Sequence, residues 1–593
     1  MPLLTVYKAS AGSGKTWRLT VEYLKFLLQR PDAYRHILAV TFTNKATSEM
    51  KERILNALWE MRLIHPSKAP EGMAKTLSEE TGLPPALIKE RAIQALRLLL
   101  HDYGHFRVET IDSFFQSVLR NLARELGIGT GLNIELNDAA VLDEAVDAVL
   151  DHSSEDPLLL NWITDFMEES YREGKSWKID RALRKFGKTI FQEFFKEKSV
   201  LLNEKLKDKQ FLDRYKKELQ AYQARALDQL KKAATAYFSK LKENGLEISD
   251  ISNGNTGVSS YFLKLSNGQC NKEIAAGKRV QEAMEDPEKW AAKKHPRHDD
   301  IVQLAVSDLM PLLKESEKLR ANLAPGIHTC KLCIRHLTNV GLLTDIHDEV
   351  RTLNHSSNRF LLSDTNALLR SLISEQDTSF VFEKTGTEFD HILFDEFQDT
   401  SRMQWETFKP LLAECLARGH KSLVVGDEKQ SIYRWRNGDW RILGNITEEL
   451  KHSDVGKEVL RNNWRSDQLV VDFNNRLFQT ITKLVNQHLS DQFNQACPDI
   501  EKAYTDVIQE PVKHQGTGFV SVEFPKGTDE TPYTEQVLQR LLTQTEDLQR
   551  QGIPANQIAI LIRVNKHAPA NVSASPDSNL LPALCLQIRD GDP

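Results

Sequence analysis

Cysteine is scarce in this chain: there are six in 593 residues (Cys270, Cys330, Cys333, Cys415, Cys497 and Cys585). Six thiols cannot staple a polypeptide of this length, so a disulfide framework is excluded and reduced thiols in a cytoplasmic setting are expected. Long apolar runs are missing as well. No stretch approaches the roughly 18 uninterrupted apolar residues of a membrane span. The first seven residues give way to a Gly/Ser/Lys loop, leaving no room for a signal peptide, and no membrane partner is expected. Positive charge is not in excess either. With 77 Lys+Arg against 83 Asp+Glu the net charge is −6, which excludes a uniformly basic nucleic-acid binder but is compatible with a local basic face.

At 40% hydrophobic and 27% charged residues, the chain can bury several cores, which excludes wholesale disorder. Its length suggests about four domains. Residues 3–7 and 35–42 read as short buried strands. Between them Trp17, Leu19, Val21, Leu24, Leu27 and Leu28 recur at helical spacing over 16–30. Strand, helix, strand in that order begins a parallel α/β sheet. Apolar runs at 391–394, 422–425 and 457–460 fit further buried strands. From about 120 to 385 the pattern changes to long amphipathic helices, divided by a loop rich in Gly, Asn and Ser at 243–276. Within this section residues 172–242 hold 20 Lys+Arg and 9 Asp+Glu, a local +11 that leaves −17 for the rest. Such a segment either tracks a nucleic-acid backbone or solvates long helices. A helix after 466, a strand at Gly518–Phe524, a helix at 533–551 and a strand at Ile558–Ile562 return to α/β. Residues 568–593 hold four of the 21 prolines and show no sustained period.

Ala9-Ser10-Ala11-Gly12-Ser13-Gly14-Lys15-Thr16 follows the first strand and opens the first helix. Small residues there let backbone N–H groups close around a phosphate, Lys15 can reach the terminal phosphates, and the Thr16 hydroxyl can ligate Mg²⁺. ATP and Mg²⁺ are the expected cofactors. A phosphate loop needs an acidic partner at a strand end, and His391-Ile-Leu-Phe-Asp395-Glu396 supplies one. Asp395 suits the metal and Glu396 suits a general base for an attacking water. His328, Cys330, Cys333 and His336 are metal-ligating types. They lie in one helical stretch with no second cysteine pair nearby, so an ordinary helix carrying two thiols is expected.

The run Asp395-Glu396-Phe-Gln-Asp-Thr400, taken with the phosphate loop and the strings that follow, resembles superfamily 1 DNA helicases of the UvrD/Rep type. The form of the loop and the large insertion are most similar to the RecB and AddA branch. Matching segments run in order through residues 5–466. Thr41-Phe42-Thr43-Asn44 resembles a DNA-contacting motif, in which polar groups at a strand end hold a phosphate and Phe42 offers a π-face to a base. Thr110-Ile-Asp112-Ser113-Phe114 is similar to the next such motif. Asp112 stands where the family more often has His, and it equally suits the cap of the helix that follows. Val425–Arg436 resembles the segment that couples nucleotide state to DNA grip. That likeness implies that Gln430 senses the γ-phosphate, that Tyr433 and Trp435 sit by the bases, and that Arg436 joins the polar network between the sites. Leu460–Ser466 resembles a further motif, in which Arg465 contacts the γ-phosphate.

The resemblance implies ATP-driven stepping, 3′ to 5′, along single-stranded DNA or at single/double-strand junctions, in repair or recombination. The fold it implies is α/β: a P-loop RecA-like motor domain with a large, mostly helical insertion and the start of a second RecA-like domain. The first lobe is expected at 1–120 and 386–466, the insertion at 121–385, the start of the second lobe at 467–567, and an irregular tail at 568–593. Two later family motifs, one carrying an arginine that acts across the cleft, are not found, and no nuclease carboxylate cluster is identified. A truncated or frameshifted reading frame with impaired hydrolysis is the expectation this gives. The alternative is a non-catalytic ATP- and DNA-binding remnant or a partner-binding subunit of a helicase–nuclease, so a nuclease or second subunit is an expected partner.

Overall fold

The computed structural model describes residues 2–64, 71–122, 133–135, 137–155, 157–172, 179–268, 276–375, 388–451, 453–493, 498–512, 516–525 and 533–562. The expected irregular tail at 568–593 lies outside the described residues, as do Cys270, Cys497 and Cys585. Strands of three or more residues are, in chain order, β1 (Leu4–Ala9), β2 (Ile37–Thr41), β3 (Val108–Thr110), β4 (Asn133–Glu135), β5 (Arg359–Leu361), β6 (His391–Phe394), β7 (Ser422–Gly426) and β8 (Val455–Leu460). Two compact units divide the chain. One comprises the described residues of Met1–Ile111, Thr387–Arg402 and Lys409–Pro593, the other those of Asp112–Gly386 and Met403–Phe408.

In the first unit six strands form one sheet in the order β3-β2-β6-β7-β1-β8, every neighbouring pair parallel. Parallel strands covered on both faces read as continuous apolar runs, and every residue of β2 and β7 is buried. The strand β1, between β7 and the edge strand β8, sets Val6 opposite Val424 on one side and Lys457 on the other. β8 departs from the expected buried strand. It lies at the sheet edge with Lys457, Glu458 and Val459 exposed, because an edge strand has one neighbour and one solvated flank.

The helix Lys15–Gln29 buries Leu19, Val21, Tyr23, Leu24, Leu27 and Leu28 in a core shared with Tyr7, Ile37, Leu393, Leu423 and Val425. Each such leucine contributes about 1.5–3 kcal/mol relative to exposure. Trp17, part of the expected apolar face, is exposed instead. Because the strands are parallel, the residues that follow β1, β2, β6, β7 and β8 all emerge at one carboxyl edge of the sheet, where open α/β sheets hold ligands.

After residue 466 the helix Gln468–Phe493 forms, and Glu510–Pro511 pairs in parallel with Asn462–Asn463. The helix Tyr533–Arg550 is present as expected. Two expected strands are not. Gly518–Phe524 and Ile558–Ile562 make no ladder, and Phe519, Phe524 and Leu561 are each more than four-fifths exposed. Alternating or apolar character meets only half of what a strand needs; the other half is a neighbour that takes its backbone hydrogen bonds.

Among its described residues the second unit is helical apart from the short parallel pair β4–β5. Its longest helices are Lys209–Glu243, 35 residues, and Met310–Ser356, 47 residues. The expected loop at 243–276 contains a packed helix, Val258–Ser266, whose Tyr261, Phe262 and Leu265 are buried. Phe262 stacks on Tyr237 at 4.0 Å. The surrounding Gly, Asn and Ser residues obscure that apolar spacing. Several cations of the basic segment have carboxylate neighbours: Lys196 pairs with Asp364, Lys207 with Asp348, Lys232 with Asp228 and Lys240 with Asp308.

Candidate active site

The phosphate loop leaves β1 at Ala9 and turns through Gly12 and Gly14, both left-handed, with φ of +79° and +86°. Gly12 is also crowded. A Cβ there would lie 2.9 Å from both the Arg465 Cβ and the Asn463 Oδ1, so only glycine satisfies the dihedral and the space together. Ser13 Oγ donates to the Ser10 carbonyl at 2.7 Å and closes the turn. Gly14 is the N-cap of the helix Lys15–Gln29, whose first N–H groups and dipole favour an anion. Ala11 is exposed, and Thr16 stands half-buried in the first helical turn.

Asp395 follows β6. Its N–H donates to the Val40 carbonyl at 2.9 Å, extending the ladder, and its side chain is buried. Burial pushes the Asp395 carboxyl up to about 6, and the neighbouring Glu396 charge adds to the effect. Glu396 adopts a left-handed conformation, φ +50°, which carries a cost of order 1 kcal/mol in a residue with a Cβ. The turn brings its carboxylate back to the phosphate loop. Glu396 Oε2 accepts from Lys15 Nζ at 2.8 Å and from Gln398 Nε2 at 2.7 Å. Lys15 Nζ also donates to Gln430 Oε1 at 3.1 Å, and Gln430 Nε2 donates to Asp427 Oδ2 at 2.6 Å. Burial, with Glu396 next, raises the Asp399 carboxyl to about 6 as well.

A hydroxyl at Thr16 and a buried carboxyl at Asp395 are hard oxygen donors, the set that suits Mg²⁺, which takes few protein ligands and completes its shell with water and phosphate. The described residues form no group of three or more His, Cys, Asp or Glu fit to hold a metal. That includes His328, Cys330, Cys333 and His336, which lie along the single helix Met310–Ser356.

A second cluster involves Phe42 and the segment after β7. Phe42 meets Tyr433 at 4.6 Å between ring centroids, Tyr433 meets Trp435 at 6.0 Å, and the Arg436 guanidinium lies 4.7 Å from the Trp435 ring. Trp435 is 65% exposed, so a ring face remains open to a flat ligand. Asn44, two residues after Phe42, is exposed. Three of the residues expected to contact DNA have partners within the protein. Thr41 is buried, its hydroxyl 2.6 Å from that of Thr47, and Thr43 Oγ1 caps the helix Asn44–Met61 by accepting from Ala46 N. Those hydroxyls serve the local fold. Phe114 is buried against Phe115 and Phe408, so its ring belongs to a core. Thr110 is half-buried at the end of β3, and Ser113 is exposed. Asp112 accepts from Gln404 Nε2 at 3.2 Å.

Four residues near the loop escaped the sequence reading. Gln398 bridges two strand ends, accepting from Asp427 N at 2.9 Å while donating to Glu396. Asn463 Oδ1 accepts from the N–H groups of Arg465 and Ser466 and its Nδ2 donates to the Ala11 carbonyl, which sets Arg465 beside Gly12. Trp464, half-exposed, donates its N–H to the Gly12 carbonyl at 2.9 Å. Gln509 donates to the Ala11 carbonyl at 3.0 Å. Asn463 and Trp464 sit inside a string already singled out for Arg465; Gln509 carries no local signal.

Several curated proteins are similar to this chain in sequence. RecBCD enzyme subunit RecB of Haemophilus influenzae is 24% identical over 510 residues, which is 80% of this chain and 40% of that protein. An ATP-dependent helicase/nuclease subunit of Streptococcus mutans is 22% identical over 588 residues, 93% of this chain and 42% of its own length. Its counterpart in Streptococcus uberis is 25% identical over 507 residues, 79% of this chain and 37% of its own length. The chain thus spans about two fifths of the curated relatives it matches. Residues 4–451, the span that contains the phosphate loop, both acids and the aromatic cluster, match the UvrD/REP helicase N-terminal domain, and the chain belongs to that family.

Proposed function

We propose that this chain is an ATP-driven motor that steps along single-stranded DNA, 3′ to 5′, in the cytoplasm, in repair or recombination. In this reading 1–120 and 386–466 make the first RecA-like lobe, 121–385 is its insertion, and 467–567 begins a second lobe. The observation that carries the reading is the meeting of Lys15, Glu396 and Gln430, side chains from three separate strand ends, over a glycine loop at a helix N-terminus.

The chemistry follows from those residues. The loop N–H groups and Lys15 bind the phosphates, and Thr16 and Asp395 would hold Mg²⁺, which supplies charge neutralisation on the phosphate oxygens when bound. Lys15 turning from Glu396 to a phosphate frees the Glu396 carboxylate. Glu396 then takes a proton from water as the water oxygen bonds to the γ-phosphorus and the bond to the ADP oxygen breaks. Gln430, bonded to both Lys15 and the Asp427 carboxylate, links the phosphates to the segment that carries Tyr433, Trp435 and Arg436. Stacking on those rings tolerates any base sequence, as a translocating motor requires. The basic segment 172–242 would follow duplex backbone at a junction.

A second reading, a nucleotide- and DNA-binding component of a helicase–nuclease with little turnover of its own, is favoured by the exposed Phe519, Phe524 and Leu561. Both readings require nucleotide binding. Lys15→Ala should lower Mg-ATP affinity at least tenfold, by roughly the loss of a charge-assisted hydrogen bond; unchanged affinity in a titration calorimeter removes the phosphate-loop assignment. DNA-stimulated ATPase measured on the wild-type chain then separates the motor from the non-catalytic component.

A further inference from the structure

Resting on the nucleotide-site reading above, we infer that Gln509 is a positioning residue for the phosphate loop, fixing the Ala11 carbonyl so that the next N–H faces the bound phosphate. Gln509 Nε2 donates to the Ala11 carbonyl at 3.0 Å, and Asn463 Nδ2 donates to the same oxygen at 3.2 Å. The two amides are themselves joined, Asn463 Nδ2 donating to Gln509 Oε1 at 3.0 Å. A peptide unit is planar and trans, so a carbonyl held to one side puts the following N–H, here that of Gly12, on the other. A carbonyl turned inward would repel an anion; two donors on Ala11 O hold it outward. Trp464 N–H restrains the Gly12 carbonyl in the same way one residue on.

Gln509 is in turn held firmly. Its N–H donates to Asn475 Oδ1 at 3.0 Å, and its carbonyl accepts from Asn475 Nδ2 at 2.8 Å. Both bonds tie it to the helix Gln468–Phe493, and the next residues pair with Asn462–Asn463. Three residues earlier, Asp506 accepts from Lys429 Nζ at 2.8 Å, and the same ammonium lies 2.8 Å from Asp427, the carboxylate that holds Gln430 against Lys15. One short segment therefore touches the entrance of the loop and, through Lys429, Asp427 and Gln430, the far side of its lysine. That segment lies outside the 4–451 span matched by the family.

The test uses the full 593-residue chain and a fluorescent ATP analogue with Mg²⁺, comparing wild type, K15A, Q509A and Q509E, with thermal midpoints and oligo-dT binding without nucleotide measured alongside. Q509A is expected to weaken nucleotide binding about three- to tenfold, the effect of one lost hydrogen bond. Its thermal midpoint and nucleotide-free oligo-dT affinity should stay at wild-type values. Q509E keeps the acceptor for Asn463, loses the donor to Ala11 and adds a negative charge, so it should bind more weakly than Q509A. Wild-type affinity in both variants, with K15A impaired, overturns the inference and leaves the nucleotide site standing. A fall in nucleotide affinity that comes with a lower thermal midpoint and weaker oligo-dT binding assigns Gln509 to the fold and also overturns it. Failure of the wild type to bind nucleotide removes the site and this inference together.

Discussion

Asp395 shows what a single buried carboxyl costs and what it offers. Its folded value near 6 stands above the ordinary 3.8, so folding favours the neutral acid. The stability this contributes is complete below the unfolded value and is lost as pH rises through about 6. At neutral pH the buried charge is therefore a liability of about 2–3 kcal/mol, relieved by a bound cation. Asp395→Asn, which keeps an oxygen to accept from Glu396 N–H, should raise the melting temperature, and more at about pH 8 than at about pH 5.5. It should also abolish the Mg²⁺ dependence of nucleotide binding; greater stabilisation at the acid pH would contradict the assignment. The identity of these acids was legible because they follow an apolar strand in a chain with a phosphate loop. Gln509 was not. Its partner Ala11 is 498 residues away, and an isolated glutamine in a polar stretch has no pattern to read.

At the scale of elements, legibility followed coverage. Strands β2, β6 and β7 are covered on both faces and announce themselves as apolar runs, whereas the edge strand β8 carries Lys457 and Glu458 between its valines and is half-exposed. Gly518–Phe524 has strand-like alternation and no partner strand among the described residues, so pattern alone over-read it. Motif strings singled out Thr41, Thr43 and Phe114, but a string does not say that the two hydroxyls and the ring also have partners within the protein. The phosphate loop is the element where pattern and geometry coincide. Gly12→Ala would set a methyl 2.9 Å from the Arg465 Cβ at φ +79°. Relief requires moving either the loop or the Asn463–Arg465 turn. A loss of roughly 1–3 kcal/mol in stability, with Mg-ATP affinity reduced at least tenfold, is expected from strain of this kind. Calorimetric melting and titration of the variant check both; a wild-type profile would mean the loop tolerates a right-handed alternative.

At the scale of the whole molecule the net charge of −6 conceals two different surfaces on which the proposed motor would hold DNA. The aromatic cluster of the first unit offers an exposed Trp435 face with Arg436 over it, and a ring stacked on a base neutralises no phosphate, so it adds nothing to the salt slope. The second unit offers cations, but only some are available: Lys196, Lys207, Lys232 and Lys240 already face carboxylates, whereas Lys217, Lys231 and Lys242 are exposed. The two mechanisms leave different signatures. Trp435→Ala should cost about 1–3 kcal/mol of oligo-dT affinity and leave the slope of log affinity against log salt unchanged. Reversing Lys217, Lys231 and Lys242 to Glu should spare oligo-dT binding and flatten the slope for a duplex with a single-stranded tail, by about 0.9 for each phosphate no longer neutralised. Fluorescence anisotropy over a salt series with both DNAs reads the two effects separately. If the triple reversal leaves the junction slope untouched, the +11 of residues 172–242 serves to solvate long helices, and the grip on DNA falls to the aromatic cluster of the first unit.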